Sequence, residues 1–260
     1  MSQTRALTWS YGGGTESVAI AVLVSRGELP FPECVVIADT GREGSETWEY
    51  TDAYVRPLLA TKGIEIEVVP HSLATVDLYS KKGELLIPAW TKPNGQMSTF
   101  CSVEWKRRPV ARFLRQRGYG PKKPVDMWIG ISIDEWMRAK GNSGVAWQSY
   151  LYPLIDLHIS RDDCKRIVMD AGLPEPPKSS CWMCPWRSEH QFARLRDRYP
   201  DDYTAAIQLD QEIRDRDTDH NVFLLKSRIP LGESSLSNEQ TPVSTDTGEV
   251  EACDSGMCWV

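Results

Sequence analysis

The feature that most constrains this chain is a short apolar strand signal that runs straight into a glycine turn and then into an apolar helix. Ala6–Ser10 supplies the strand, and Gly12, Gly13, Gly14, Thr15, Glu16 and Ser17 form the turn. Residues 16–25, rich in Val, Ala, Ile and Leu, read as a helix packed on a sheet. Strand, glycine turn, helix is an order that aims backbone N–H groups and a helix N-terminus at one place, which suits an anion. Glycine lets the backbone approach closely and take positive φ, and Ser17 adds a hydroxyl at the helix start. A bare glycine turn is a weak motif by itself, so a tight turn without a ligand stays open.

The rest of the chain repeats the rhythm. Cys34–Ala38 is a continuous apolar run, as expected of a strand buried on both faces, and Asp39-Thr40-Gly41 stops it. Residues 45–59 read as a helix with Ser45 as its N-cap. Residues 64–69 and 125–131 read as strands. Repeated strand–helix order predicts an α/β fold: an open, mainly parallel twisted sheet with helices on both faces. Ligands of such sheets bind beyond the carboxyl ends of the strands, where the Gly12 turn and Asp39-Thr40-Gly41 both fall. Two segments break the rhythm. Residues 79–100, rich in Lys, Gly, Pro and Asn, predict a long loop over the site. Residues 231–257 predict a flexible polar tail, which leads to Cys253 and Cys258. The expected organisation is an α/β nucleotide-binding domain over 1–160, a cysteine-bearing helical extension over 161–230 and a tail over 231–260. Within the extension, residues 192–214 read as amphipathic helix with a break at Pro200.

The 260 residues are 41% hydrophobic and 25% charged, enough for a sizeable core. No run reaches the roughly 18 apolar residues of a membrane helix, and the polar start does not read as a signal peptide. The expected location is the cytoplasm, with its seven cysteines reduced. A net charge of −6 argues against a bulk nucleic-acid coat but leaves room for a local basic patch. One such stretch spans 106–123: Lys106, Arg107, Arg108, Arg112, Arg115, Arg117, Lys122 and Lys123. Arg108, Arg112 and Arg115 fall at helical spacing on one face. They suit nucleic-acid or nucleotide phosphates, or equally a solvated helix face.

Cys181-Trp-Met-Cys184 is a CxxC unit, preceded by a proline-rich extended approach. Two thiolates at this spacing can hold a metal or a cluster edge, or act as a redox pair. Trp182 and Trp186 lie close enough to shield it from water. Cys34, inside an apolar strand, reads as packing. The four histidines are isolated, and none is assigned as a ligand.

Several segments in order resemble the PP-loop ATP pyrophosphatases and, more specifically, the phosphoadenylyl-sulfate (PAPS) reductases. Gly12-Gly-Gly-Thr-Glu-Ser17 is similar to their Ser-Gly-Gly-x-Asp-Ser loop. Ile37-Ala-Asp39-Thr40-Gly41, followed by Ser45-Glu46-Thr47, is similar to their Asp-Thr-Gly…Pro-Glu-Thr segment. Gly130…Glu135…Arg138 resembles a Gly-x-x-x-x-Glu-x-x-Arg turn, and Pro153-Leu-Ile-Asp156 a Pro-Leu-x-Asp element. The likeness covers roughly residues 5–190 and is nearest to PAPS-reductase-like proteins of phages and mobile elements. It departs at Gly12, Thr15 and Glu16, where the family often has Ser, Lys and Asp.

The resemblance implies a site for ATP or a related adenine nucleotide, with Mg2+, at Gly12 to Ser17. Asp39, Thr40 and Gly41 would lie near adenine or ribose, and Gly130, Glu135 and Arg138 near the phosphates. It places Cys101 and Cys164 near the phosphate end, so that Cys101, Cys164, Cys181 and Cys184 together could hold a [4Fe–4S] cluster or, alternatively, zinc. Lys106 occupies the place of a substrate-facing lysine, which makes Cys101, Lys106, Glu135 and Arg138 the candidate catalytic residues. Tail cysteines of the reductases exchange thiol and disulfide, which is the role Cys253 and Cys258 could take.

Three functions follow as expectations. The first is ATP-dependent adenylylation with pyrophosphate release, coupled to sulfur transfer or modification of a nucleic acid or nucleotide. A sulfur-donor protein and a homodimer are partners it could use. The second is a thiol-dependent PAPS or adenylyl-sulfate reductase, and the third a non-catalytic nucleotide- or nucleic-acid-binding module.

Overall fold

The computed structural model describes residues 4–92, 95–140, 143–219 and 221–236. Its strands are β1 (Ala6–Ser10), β2 (Cys34–Ala38), β3 (Ile66–Val69), β4 (Trp90–Thr91), β5 (Gly95–Gln96), β6 (Val125–Ile129), β7 (Gln148–Leu151) and β8 (Val222–Phe223). Five form one all-parallel sheet in the order β3-β2-β1-β6-β7. The helices are α1 (Thr15–Arg26), α2 (Ser45–Tyr50), α3 (Arg56–Ala60), α4 (Arg108–Gln116), α5 (Pro153–Asp156), α6 (Arg161–Asp170), α7 (Glu189–Arg198) and α8 (Pro200–Arg216).

The period of two along a strand sends alternate side chains to opposite faces, and both faces are covered. Trp9, Val35, Ile37 and Trp128 face a core built with Val18 and Ile20 of α1, Leu59 of α3, Leu154 of α5 and Val168 of α6. Ala6, Val36, Val125, Met127 and Ile129 face the other side, with Val110 and Leu114 of α4. This is the predicted α/β architecture. The chain leaves β1 toward β2 on one side and returns to β6 on the other, so the sheet reverses its winding between β1 and β6. That switch point is where open sheets leave a crevice. No helix of the described residues is long and apolar enough to cross a membrane.

Local boundaries differ from the sequence reading for identifiable reasons. The helix expected over 45–59 is α2 and α3 joined by a π-helical turn at Thr51–Val55. Gly44, not Ser45, is its N-cap. Ser45 gives both its N–H and its hydroxyl proton to Asp202 of α8, at 2.8 and 2.9 Å, so its oxygen does not cap the helix. Helix α6 starts at a reciprocal capping box formed by Ser160 and Asp163. Pro200 separates α7 from α8.

The domain boundaries also shift. Helix α6 packs along α1 and belongs to the sheet core rather than to an extension. Residues 79–100 are not simply a loop. Leu85, Leu86, Ile87 and Ala89 are buried in a second core with Phe192, Leu195, Leu209, Ile213 and Leu224. Strand β4 pairs with both β5 and β8 in a small antiparallel sheet, β5-β4-β8. The second layer therefore joins residues far apart in the chain. Residues 231–236 are part of it: Leu231 is fully buried, and its N–H donates to Asp210. The remaining tail, with Cys253 and Cys258, lies outside the described residues.

Candidate active site

The glycine turn sits at the switch point. The Tyr11 N–H donates to Val36 O at 2.8 Å, which pulls the chain off β1 beside β2. The Gly12 N–H donates to the Ser17 hydroxyl oxygen at 3.0 Å, closing the turn on the first residues of α1. Gly13 has φ +77°, and a Cβ there would lie 2.5 Å from Thr47 Cγ2. Gly130, at the end of β6, would place a Cβ 3.0 Å from Ser17 Oγ. Neither position has room for a Cβ: the Thr47 and Ser179 side chains close on Gly13, and the start of α1 at Glu16 and Ser17 closes on Gly130. Helix α1 begins at N-cap Gly14 with no side-chain cap, so its first-turn N–H groups have no acceptor supplied by a cap.

Around the turn lie hydroxyls that are buried without a hydrogen-bond partner: Ser10, Thr47, Ser132 and Ser180. A buried polar atom left unpaired costs about 1–3 kcal/mol. Four of them around an uncapped helix N-terminus fit an anionic ligand that accepts and donates there. The residues present thus suit a nucleotide phosphate.

The two flanks of the turn differ in chemistry. On the α6 side, Arg138 donates to Glu135 at 2.5 Å, and Arg161 lies 3.5 Å from Glu16. Burial lifts the Glu135 carboxyl above its ordinary range, although Arg138 pulls it back and Glu16 adds to the rise. Nε and Nη2 of Arg138 are buried without a hydrogen-bond partner. Glu16, Glu135, Arg138 and Arg161 form one mixed charge cluster beside the helix N-terminus.

On the β2 side, Asp39 Oδ1 accepts the Gly41 N–H at 2.7 Å and shapes the turn in which Gly41 takes φ +69°. Thr40 is fully buried, with Oγ1 3.3 Å from Cys181 Sγ. The segment carrying Cys181 is stitched to residues 42–44. Cys181 bridges to Glu43, the Gly44 N–H donates to Ser180 O at 3.2 Å, and the Trp182 N–H donates to Arg42 O at 2.8 Å. Ser179 donates its hydroxyl to the Gly12 carbonyl, so the cysteine segment touches the glycine turn directly. Arg187, deeply buried, donates to the carbonyls of Ser180 and Cys181, each at 2.9 Å, and pairs with Glu46 at 3.3 Å. Lys106 is buried and pairs with Glu43 at 3.5 Å. Burial pushes the Cys181 thiol up to about 12; Glu43 adds to this, while Lys106 and the Thr40 hydrogen bond work against it.

The four predicted cysteine ligands are not brought together. Cys164 and Val168 are four residues apart, so the helical period turns both into the α1–sheet core. Cys164 is fully buried there, next to Glu16, Asp134 and Arg161, with its thiol pushed up to about 12, chiefly by burial. Cys101 and Cys181 instead pack against the second core and lie near enough for one charge to act on the other. The Cys184 N–H donates to Cys181 O at 3.1 Å. Among the described residues, no group of three or more His, Cys, Asp or Glu is placed to hold a metal ion. Among the described residues the donor set does not fit a four-cysteine [4Fe–4S] or zinc site.

The basic stretch is also largely committed within the molecule. Arg108 pairs with Glu104, Arg117 with Glu67, and Lys123 with Glu33. Arg107 donates to Ser143 O, and Arg112 donates to Leu73 O at 2.6 Å. Arg115 lies over the Trp147 ring. The helical face predicted for phosphates is thus substantially offset by acids and carbonyls. Sequence reasoning missed Glu43, Thr47, Ser179 and Arg187, which the fold gathers from distant segments. No spacing signal links them.

No family model and no curated protein matches the chain. Among solved structures it is similar to the U34-tRNA thiolase NcsA from Methanococcus maripaludis, determined with its [4Fe-4S] cluster. The identity is 15%, the TM-score 0.45, and the overlap 81% of this chain and 72% of that one. A likeness at that level carries no argument about the site.

Proposed function

We propose that this chain is a PP-loop-type enzyme that binds ATP at Gly12 to Ser17 and Gly130, adenylylates an acceptor, and uses Cys101 and Cys181 for the sulfur step that follows. The observation that carries this reading is the contact between the two halves: Ser179, two residues before Cys181, donates to the carbonyl of Gly12. That contact supports a single site for the nucleotide and the thiol.

In the first step an acceptor oxygen attacks the α-phosphorus. The bond from that phosphorus to the bridging oxygen breaks, and pyrophosphate leaves with the electron pair. The N-terminus of α1 and the Arg138 and Arg161 side chains would balance the charge that develops. In the second step a sulfur nucleophile displaces AMP from the activated carbon. An external persulfide gives its outer sulfur to the Cys181 thiolate and leaves as a thiol; the Cys181 persulfide attacks the activated carbon with loss of AMP, and Cys101 then attacks Cys181 Sγ, releasing the thiolated product and leaving a Cys101–Cys181 disulfide that an external dithiol reduces. Lys106, paired with Glu43, is a cation that favours the Cys181 thiolate. Mg2+ would enter with the triphosphate. The acceptor is a nucleic acid or a nucleotide.

The test is release of pyrophosphate from ATP by anaerobically purified protein with candidate RNA, DNA and nucleoside acceptors. Acceptor-dependent release that is lost in Arg138→Met is expected. No release with any acceptor overturns the adenylylation step. Sulfite released from PAPS by a thiol reductant would replace it with the reductase reading.

A further inference from the structure

Glu43 sits in the turn after β2, and an isolated antiparallel bridge sets it opposite Cys181. The bonds that make the bridge flank the two residues: the Gly44 N–H donates to Ser180 O, and the Trp182 N–H to Arg42 O. Glu43 and Cys181 therefore share no hydrogen bond between their own backbones. Antiparallel partners of this kind come closest, with Cα atoms about 4.5 Å apart and both side chains on one face. We propose that Glu43 is the proton acceptor for the Cys181 thiol. This rests on the proposed sulfur step and names the group that lets a buried thiol take part in it.

The surroundings of the carboxylate favour this role. Glu43 is buried, and its Oε2 has no hydrogen-bond partner. Lys106 Nζ stands 3.5 Å from that oxygen, close enough to offset its charge but too far for a good hydrogen bond. The other oxygen is 3.5 Å from the Ser179 hydroxyl, which donates its single proton to the Gly12 carbonyl. An ionised carboxylate has about four lone-pair sites, and the thiol across the bridge carries a proton.

The thiol needs such a partner. Burial pushes it up to about 12, so loss of its proton to water at neutral pH leaves about one thiolate in 100,000. Transfer to Glu43 moves the proton within the pair and adds no net charge to a buried place. It also removes the Glu43 charge that opposes the thiolate, while Lys106 remains. The other groups facing Cys181 are Cys101 and the Thr40 hydroxyl. Arg187 holds the Cys181 carbonyl and is itself paired with Glu46.

In the loading step the proton passes from Cys181 Sγ to Glu43, and Sγ attacks the outer sulfur of the donor persulfide. The donor's S–S bond breaks, and its inner sulfur leaves with the electron pair. That thiolate takes the proton from Glu43, so the donor departs as a thiol and Glu43 is again a carboxylate.

The experiment is peptide-mapped alkylation of Cys181 by iodoacetamide as a function of pH. It uses the reduced full chain and its Glu43→Gln and Glu43→Asp variants. A pair that shares one proton keeps a pH-independent fraction of thiolate, so the wild-type rate should hold level across neutral pH and rise only in base. Glu43→Gln should lose the level stretch and gain about tenfold in rate per pH unit throughout. Glu43→Asp, which keeps a carboxylate, should restore the level stretch at a lower rate. A wild-type rate that climbs tenfold per unit without levelling overturns the proposal, and so does a level stretch that survives in Glu43→Gln. Should Glu43→Gln not fold, Glu43→Asp decides: a changed plateau supports the assignment, and an unchanged one overturns it. Alkylation needs neither ATP nor an acceptor. Failure of pyrophosphate release therefore removes the adenylylation step and leaves Glu43 standing.

Discussion

Cys164 and Cys181 carry the same perturbation and occupy opposite kinds of place. Burial pushes both thiols up to about 12. Cys164 belongs to a helix face packed into the α1–sheet core. Cys181 belongs to an extended segment tied by Thr40, Glu43, Ser179 and Arg187 to the turns at the ends of β1 and β2. A raised thiol therefore says nothing about role; the elements that hold the thiol do. On one flank of the glycine turn the fold places paired charges, and on the other it places sulfur.

The sharpest way to break this contrast is to remove each thiol. Cys181→Ala should abolish thiol-dependent turnover while ATP-analogue binding persists. Cys164→Ala should leave both intact. Equal loss in the two variants, read in one turnover assay, would end the distinction.

The next effect concerns what holds the Cys181 segment. Arg187→Met leaves Glu46 with the half-exposed Arg194 at 3.6 Å, and leaves the Ser180 and Cys181 carbonyls with only the N–H donors of Gly44 and Cys184. Breaking a buried pair from one side costs about 3–5 kcal/mol. Urea unfolding should show a loss of that size, and peptide-mapped alkylation should find Cys181 labelled faster while Cys164 stays protected. Gly13→Ala comes third. A left-handed φ in a non-glycine residue costs about 1–3 kcal/mol, and the clash with Thr47 adds to it. Thermal melts should fall, and analogue binding should weaken more than in a variant matched for stability.

The smallest effect is a pH dependence at the Arg42–Asp77 pair. Hydrogen bonds from Arg42 hold the Asp77 carboxyl below its ordinary range. A depressed carboxyl contributes stability above its unfolded value, near 3.8, and loses it as pH falls through the folded value. Asp77 is largely exposed, so its share is below about 1 kcal/mol. Asp77→Asn should flatten the acid limb of the stability curve below about pH 4. An unchanged limb would show that the pair is not formed in solution.

Much of the site was legible in the chain. Gly12 to Ser17 announced the turn because close backbone approach requires glycine. Cys34–Ala38 announced a buried strand because both its faces are covered. Other features were hidden because they depend on contacts between distant segments. Residues 79–100 looked like a loop until Leu85 to Ala89 met α7 and α8. Arg108, Arg112 and Arg115 looked like a phosphate-binding face until Glu104, Leu73 and Trp147 took them up.

The sequence by itself determined the parallel α/β plan and the position of the glycine turn, since both follow from local periodicity and backbone freedom. Only the tertiary structure decided which cysteines share that turn. The CxxC unit singles out Cys181 along the chain, and the resemblance adds Cys101 and Cys164; helix phase and strand docking separate them: one helical period buries Cys164 in the core, and one bridge to Glu43 ties Cys181 to the turn after β2.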